Sequence, residues 1–348
     1  MRKSASIASV RYSPMLWTMV ALIAIGTAFL IQENLSALTN VGLSQSLITL
    51  AAWLSFGFVG ILVLISVQRF GNRPQWTIIV ALTWGALAAG SLSQQANIAI
   101  STIFVRLWSS SGVTAWLTTP IVEETLKLLG VMALVVIPTA KIRGSLDGLF
   151  FGVLVGIGFL ICESFFYTIG AVWNNLGSFW GTLFGMIVLR GLLGGIMTHP
   201  IFTGLIGAGI GYVVAHNEKA LLARASVLAS SVAFSIALHS LYNYQDTFNI
   251  YSVIIGVTGF VVLLIVLFRA RHEEERRLVG IAADYADAGV LTSGDLQALK
   301  DKTGRKGKLS KYSKAVLRYV RAIDMSGEDS QATKRVAERL KKERETKD

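Results

Sequence analysis

The hydrophobic positions of this chain fall into long stretches, whereas the strands and helices of soluble domains show short alternating or one-sided patterns. A helix needs about 20 mostly apolar residues to cross the roughly 30 Å hydrocarbon core of a bilayer. Stretches of that kind predict spanning helices at 15–32, 45–67, 75–93, 118–138, 147–169, 190–215, 225–244 and 249–269. The pattern therefore predicts an all-α fold, a polytopic transmembrane bundle of about eight spans.

Basic residues in the loops decide between eight spans and nine, because the segment 173–189 is also apolar enough to cross. With one crossing between Tyr167 and His216, all five basic groups fall on one side. These groups are Arg2-Lys3-Arg11, Arg69/Arg73, Lys141/Arg143, Lys219/Arg224 and Arg269/Arg271. Lys and Arg collect in cytoplasmic loops, so eight spans with both termini in the cytoplasm are predicted. The first apolar run has no clear small-residue cleavage site, and we interpret it as an uncleaved helix.

Charge divides the chain into an apolar body and a polar tail. Only 15% of the residues are charged, against about 25% in soluble domains. Residues 269–348 nevertheless hold 20 of the 32 Lys and Arg and 14 of the 21 Asp and Glu. We expect a transmembrane domain at 1–272 and a basic cytoplasmic tail at 273–348. The tail shows a helix start at Ser293-Gly-Asp295, and its end, from Lys334 to Asp348, is expected to be partly disordered.

The net charge of +11 does not indicate a nucleic-acid partner. Basic residues flank the apolar runs, which is the pattern of membrane orientation and of attraction to anionic lipid. The lipid bilayer is therefore the predicted partner. The single cysteine, Cys162, excludes an intrachain disulfide.

Glycines are frequent inside two of the predicted spans. Small residues at helical spacing allow two transmembrane helices to approach closely. The glycines concerned are Gly148, Gly152, Gly156 and Gly158 in one span and Gly204, Gly207, Gly209 and Gly211 in the other.

Ionisable residues inside spanning helices are costly and mark functional sites by default. Four of them, Glu124, Glu163, His199 and His239, lie 15 to 17 residues from the cytoplasmic end of their own helix. At 1.5 Å per residue this corresponds to roughly 22–26 Å from the inner face. Two carboxylates and two imidazoles from four helices thus reach one depth, which predicts a single polar site in the outer half of the membrane.

Three further residues extend this candidate site. Glu123 and Lys127 are four apart, on one helix face, and can form an ion pair. Glu124 lies about 100° further around the helix, outside that pairing, and is the better candidate for a catalytic base. Asn243, one turn after His239, shares its face and can donate a hydrogen bond.

These groups are compatible with more than one chemistry. A carboxylate facing an imidazole can activate a water, and an imidazole with an amide can stabilise an oxyanion. Two histidines and a glutamate can instead bind zinc, with Glu163, His199 and His239 as the candidate ligands. A relay of Glu and His can also move protons in a transporter, although we find no inverted repeat. A non-catalytic scaffold that acts through the basic tail is the third alternative.

Four motifs, in order over residues 118–245, resemble those of the PrsW-family intramembrane proteases, distant relatives of the CAAX prenyl endopeptidases. Glu123-Glu124-Thr-Leu-Lys127 is similar to the EExxK motif. The other three comprise Asp147-Gly148 through Gly152, Gly156, Gly158, Phe159 and Glu163; Arg190 with His199, Thr203, Gly204 and Gly207; and His239-Ser-Leu-Tyr-Asn243. Glu163 stands where CAAX endopeptidases have a histidine.

The resemblance implies an endopeptidase in a bacterial plasma membrane that cleaves single-span membrane proteins, such as anti-sigma factors, near the outer face. Glu123 and Glu124 would be its essential acidic pair, with His199 and His239 as the essential histidines. The family is described both as metal-dependent and as glutamate-based. We expect Glu124 to activate water with help from Glu123 or Glu163, and the histidines to bind metal or polarise the scissile carbonyl, with Asn243 supporting His239.

Overall fold

The structure is a computed structural model that describes residues 13–67, 74–108, 113–137, 140–174, 177–194, 198–244, 250–304, 311–326 and 331–345. Its helices are α1 (Pro14–Val41), α2 (Leu43–Val67), α3 (Gln75–Thr83), α4 (Gly90–Trp108), α5 (Thr119–Val136), α6 (Ser145–Trp173), α7 (Phe179–Met186), α8 (His199–Ala215), α9 (Leu221–Asn243), α10 (Ile250–Asp287), α11 (Ser293–Gly304), α12 (Lys311–Ser326) and α13 (Gln331–Glu345). Three π-helical segments adjoin them, at Trp84–Ala89 between α3 and α4, at Thr114–Thr118 before α5 and at Ile187–Gly194 after α7.

Seven helical stretches in the described residues are long and apolar enough to cross a membrane. This confirms the predicted polytopic helical fold. The predicted span at 118–138 corresponds to α5, which is 18 residues long and carries Glu123, Glu124 and Lys127. The most apolar 18-residue window of each of the seven stretches holds at most two Asp, Glu, Lys or Arg residues, whereas α5 holds three in 18.

Helix α6 lies at the centre of the membrane unit. Of its most apolar 18-residue window, 78% is buried, compared with 44% or less in the other six stretches. A helix that is apolar on all sides is typical of a position enclosed by other helices. Residues on several of its faces, including Phe151, Leu154 and Val155, are completely buried.

Glycines bring α6 into backbone contact with α8, as their spacing predicted. A Cβ atom on Gly148 would lie 2.0 Å from the carbonyl oxygen of Gly207, and one on Gly152 would lie 2.2 Å from that of Thr203. One turn further along, a Cβ on Gly156 would lie 2.4 Å from the carbonyl oxygen of His199. Only glycine permits this approach, so the glycine series of α6 fixes the position of the first turn of α8.

The predicted span at 190–215 falls within one of the seven stretches, Phe179–Ala215, and inside that stretch helix α8 begins at His199. Its N-cap, Thr198, has a non-helical backbone (φ −125°, ψ −111°). Pro200 follows in the first turn, where its missing N–H costs no helical hydrogen bond. Within a continuous helix the same proline would lose a hydrogen bond and clash with the preceding turn. His199 is therefore located at a helix start inside the apolar region.

The described residues from Phe268 onward form a compact unit separate from the membrane unit. The predicted helix start at Ser293 is confirmed. The backbone N–H of Thr292 donates to the Asp295 carboxylate at 2.8 Å, and the backbone N–H of Asp295 donates to the Thr292 hydroxyl at 3.1 Å. This unit has its own apolar core, made of Leu278, Ala282, Leu291, Leu299, Tyr312, Ala315, Val316, Leu317, Tyr319, Val320, Ile323 and Leu340.

For the stretch 334–348, which the sequence predicts to be partly disordered, the structure describes residues 334–345. Helix α13 covers this stretch up to Glu345, and residues 346–348 lie outside the described residues. Leu340 is only 2% exposed and belongs to the apolar core. Burial of that side chain explains why so highly charged a segment folds.

Candidate active site

The acidic motif lies on a buried face of α5, where one lysine joins both glutamates. The Lys127 ammonium lies 3.2 Å from Glu123 Oε2 and 2.9 Å from Glu124 Oε1. The expectation that Glu124 stands outside the Lys127 pairing is therefore wrong. Residues three apart on a helix are neighbours, as are residues four apart, so one long side chain reaches both carboxylates.

His199 is held between α5 and α6. Its Nδ1 lies 3.0 Å from the Lys127 ammonium, and its Nε2 lies 2.9 Å from Glu163 Oε2. An ammonium can only donate, so Nδ1 accepts, and the proton on Nε2 is donated to Glu163. The Phe159 ring packs against the imidazole at 4.8 Å between centroids. The tautomer and orientation of His199 are thus set by groups on two other helices.

Glu163 is shared between His199 and Arg190. The Arg190 guanidinium donates to Glu163 Oε2 and lies over the Tyr167 ring, 4.0 Å from its centroid. Arg190 belongs to the π-helical segment Ile187–Gly194. The side chains of Glu163 and Arg190 are 21% and 29% exposed, whereas those of the other charged groups in the site are at most 7% exposed. The site is therefore most accessible on the side where this pair lies.

His239 lies against the acidic pair. Its Nδ1 is 3.1 Å from Glu124 Oε1, and its Nε2 is 3.8 Å from Glu123 Oε2. Glu124 is completely buried, and its other oxygen accepts a hydrogen bond from the Thr203 hydroxyl at 3.2 Å. The rings of His199 and His239 meet edge to face, 5.1 Å between centroids. Glu124 is therefore positioned to fix the orientation of His239.

Five of the six predicted site residues are brought together by these contacts: Glu123, Glu124, Glu163, His199 and His239. The sixth, Asn243, donates from its side-chain amide to the carbonyl oxygen of Ala115 at 3.3 Å. This bond connects the end of α9 to the π-helical segment before α5. The predicted support of His239 by Asn243 stays a prediction.

A metal ion fits one subset of these groups. Glu123, His199 and His239 are buried, and one donor atom from each lies within 4.8 Å of the others. Two imidazoles and a carboxylate are a common donor set for catalytic zinc. Each imidazole also has a carboxylate on its other nitrogen, the second contact that metal-binding histidines usually make. The residues present therefore fit a divalent metal ion.

The predicted ligand set differs from this group in one residue. Among the described residues, the trio with converging donor atoms contains Glu123 in the place predicted for Glu163. Glu163 instead contacts Arg190 and the Nε2 atom of His199. Sequence reasoning also underestimated Lys127, whose contacts reach three of the site residues. The spacing of three and four residues from the two glutamates was the signal for it.

The family comparison agrees with this geometry. A family model described as PrsW family intramembrane metalloprotease matches residues 73–269, more than half of the chain and all six predicted site residues. No curated protein and no solved structure gives a significant match. The matched segment contains α5, α6, α8 and α9, the helices that carry the acidic motif, Glu163 and both histidines. The chain is a multi-pass membrane hydrolase and belongs to the PrsW family of intramembrane metalloproteases.

Proposed function

We propose that this protease hydrolyses peptide bonds at a metal centre held by Glu123, His199 and His239. The observation that carries the proposal is the convergence of one donor atom from each residue within 4.8 Å, at a buried position. A divalent ion bound there supplies Lewis-acid activation of water and of the scissile carbonyl. The donor set suits zinc, which is the metal we propose.

The remaining carboxylates have different tasks in this proposal. Glu124 accepts hydrogen bonds on both oxygens and is fully buried, which suits a group that orients His239. Within the described part of the chain, the hydrogen bonds to Glu163 fall on Oε2, which leaves Oε1 for a water. Glu163 is also the most exposed of the three carboxylates. We therefore assign the removal of the water proton to Glu163, in place of Glu124 as the sequence suggested.

Arg190 supports that assignment. Its guanidinium holds Glu163 Oε2 on the accessible side of the site. A carboxylate fixed in this way stays ionised and in one orientation, so that its second oxygen can accept the proton of the attacking water. Arg190 is thus a positioning residue for Glu163.

The substrates we propose are single-span membrane proteins, anti-sigma factors among them, cleaved near the outer face of a bacterial plasma membrane. The matched distances of the site residues from the cytoplasmic ends of their helices support this depth, and the loop charges support cytoplasmic termini. Membership of a protease family favours hydrolysis over proton-coupled transport by the same buried groups.

Cleavage of a panel of single-span proteins by the purified enzyme in detergent tests the proposal. A strong chelator should abolish cleavage and zinc should restore it. The Glu163→Gln variant should lose about 10²–10⁴-fold in rate, the usual contribution of a general base, at every zinc concentration. The Glu124→Gln variant should lose metal affinity by about 10–100-fold, and excess zinc should recover most of its rate.

Two results would contradict this scheme. Cleavage that survives complete chelation would exclude the metal centre. A Glu124→Gln variant that excess zinc cannot rescue, beside a Glu163→Gln variant of nearly full rate, would return the role of base to Glu124. Thermal unfolding of each variant, measured in the same detergent, separates loss of chemistry from loss of fold.

A further inference from the structure

The Lys127 ammonium lies among the atoms that would hold the metal ion. It is 3.2 Å from Glu123 Oε2 and 3.0 Å from His199 Nδ1, and these residues are two of the three proposed ligands. Its third polar contact is Glu124 Oε1 at 2.9 Å. The residue is completely buried.

All three hydrogens of the ammonium therefore have acceptors within the site. The Phe159 ring closes the remaining side, with its centroid 3.6 Å from Nζ. A cation in this place neutralises two adjacent carboxylates that would otherwise repel each other at low dielectric. It also holds the Nδ1 lone pair of His199 towards the acidic pair.

We propose that Lys127 is a positioning residue that occupies the donor set before the metal does, so that the ion binds in competition with the ammonium. This inference rests on the proposed metal centre at Glu123, His199 and His239. A divalent ion that takes up Glu123 and His199 leaves the ammonium with Glu124 and the Phe159 ring as its partners. Lys127 thus arranges the ligand residues in the metal-free protein and lowers the affinity of the site for the divalent ion that binds later.

The charges of the site favour competition between the ammonium and the metal ion over a purely structural role for Lys127. Lys127 and Arg190 are the cations in contact with the three carboxylates. Adding a divalent ion places two further positive charges within a few ångströms of the ammonium, which is unfavourable in a buried site. Removal of the ammonium eliminates this repulsion and frees two donor residues.

The experiment compares the full-length enzyme with its Lys127→Met variant, in which an apolar side chain of similar length replaces the lysine. Binding of cobalt(II) is followed by its visible absorption, and zinc affinity by competition with a chromophoric chelator. We expect Lys127→Met to bind both ions at least tenfold more tightly than the wild type. In chelator, the variant should unfold at a lower temperature than the wild type, and zinc should remove most of that difference.

The matched control is Arg190→Met, which removes the other cation of the site without touching Glu123. It should change zinc affinity less than Lys127→Met does. Equal gains in the two variants would overturn competition for shared ligands, because only general charge would then matter.

The remaining outcomes separate the inference from the metal centre itself. If the wild type binds cobalt and Lys127→Met binds it equally or more weakly, the inference is overturned but the proposed metal centre is not. Absence of binding by both proteins, with cleavage intact in chelator, overturns the metal centre and the competition together.

Discussion

Replacing Gly156 by alanine tests whether the close contact between α6 and α8 sets the position of His199. The added Cβ would lie 2.4 Å from the carbonyl oxygen of His199 and 2.7 Å from Pro200 Cα. Both atoms belong to backbone, so no side-chain rotation can relieve the clash. The start of α8, and the imidazole with it, must move away from α6.

The size of the movement follows from ordinary contact distances. Carbon and oxygen atoms meet without strain at about 3.4 Å, so the 2.4 Å approach requires a shift of about 1 Å. A displacement of 1 Å in a catalytic group can cost about 10²-fold in rate. We therefore expect Gly156→Ala to lower the cleavage rate about 100-fold and to weaken zinc binding.

The assay is cleavage of a single-span substrate at saturating zinc, with thermal unfolding measured in parallel. Gly170→Ala is the matched control, because it lies in the same helix and its added Cβ would meet nothing within 4 Å. It should keep the wild-type rate and gain slightly in stability, since alanine is the better helix former. Gly148→Ala clashes with the Gly207 carbonyl oxygen about 12 Å further along the helix, and should lose stability more than rate.

Two results would refute this reasoning. One is a folded Gly156→Ala variant that cleaves at the wild-type rate. The other is a Gly148→Ala variant that loses as much rate as Gly156→Ala, because the effect would then not depend on proximity to His199.

Two further predictions concern side chains away from the metal ligands. Thr203→Val removes the hydroxyl that donates to Glu124 at 3.2 Å and leaves a buried carboxylate oxygen unpaired, which should lower the free energy of unfolding by about 1–3 kcal/mol. Thr203→Ser keeps the donor and should recover most of that loss. Equal losses in the two variants would contradict the hydrogen-bond explanation. Leu340→Ala should destabilise the C-terminal unit by about 2–5 kcal/mol, because this side chain is 2% exposed in its core, and should leave cleavage in detergent unchanged. Loss of cleavage in Leu340→Ala would show that the unit is needed at the site.

The polytopic helical fold and the convergence of Glu124, Glu163 and the two histidines could be predicted, because both predictions depend on distances along the chain. A membrane of known thickness sets the length of each span, and counting residues from the cytoplasmic end places Glu124, Glu163 and the histidines at one level. Glycine spacing similarly predicted that helices carrying these residues can pack closely. These inferences need only the rise per residue of an α-helix.

The pairing of individual groups could not be predicted in this way. Depth leaves the rotation of each helix undetermined, so the sequence does not distinguish Glu123 from Glu163 as the partner of the two histidines. Pro200 carried a local signal for the helix start at His199, but the strong hydropathy around it suggested a continuous span. The reach of Lys127 to both glutamates depends on its side-chain conformation, in which the ammonium also packs against the Phe159 ring.

The π-helical segment that carries Arg190 has a consequence for the evolution of the chain. A π turn holds one residue more than an α turn and is rarely stable on its own. Deleting a single residue from Ile187–Gly194 would return it to an ordinary helix, but would also change the direction in which the side chains of that turn, Arg190 among them, project. Arg190 and Glu163 would then face different directions. Selection for the ion pair therefore keeps an insertion that helix stability alone would remove, and homologous proteases that lack the arginine should also lack the extra residue.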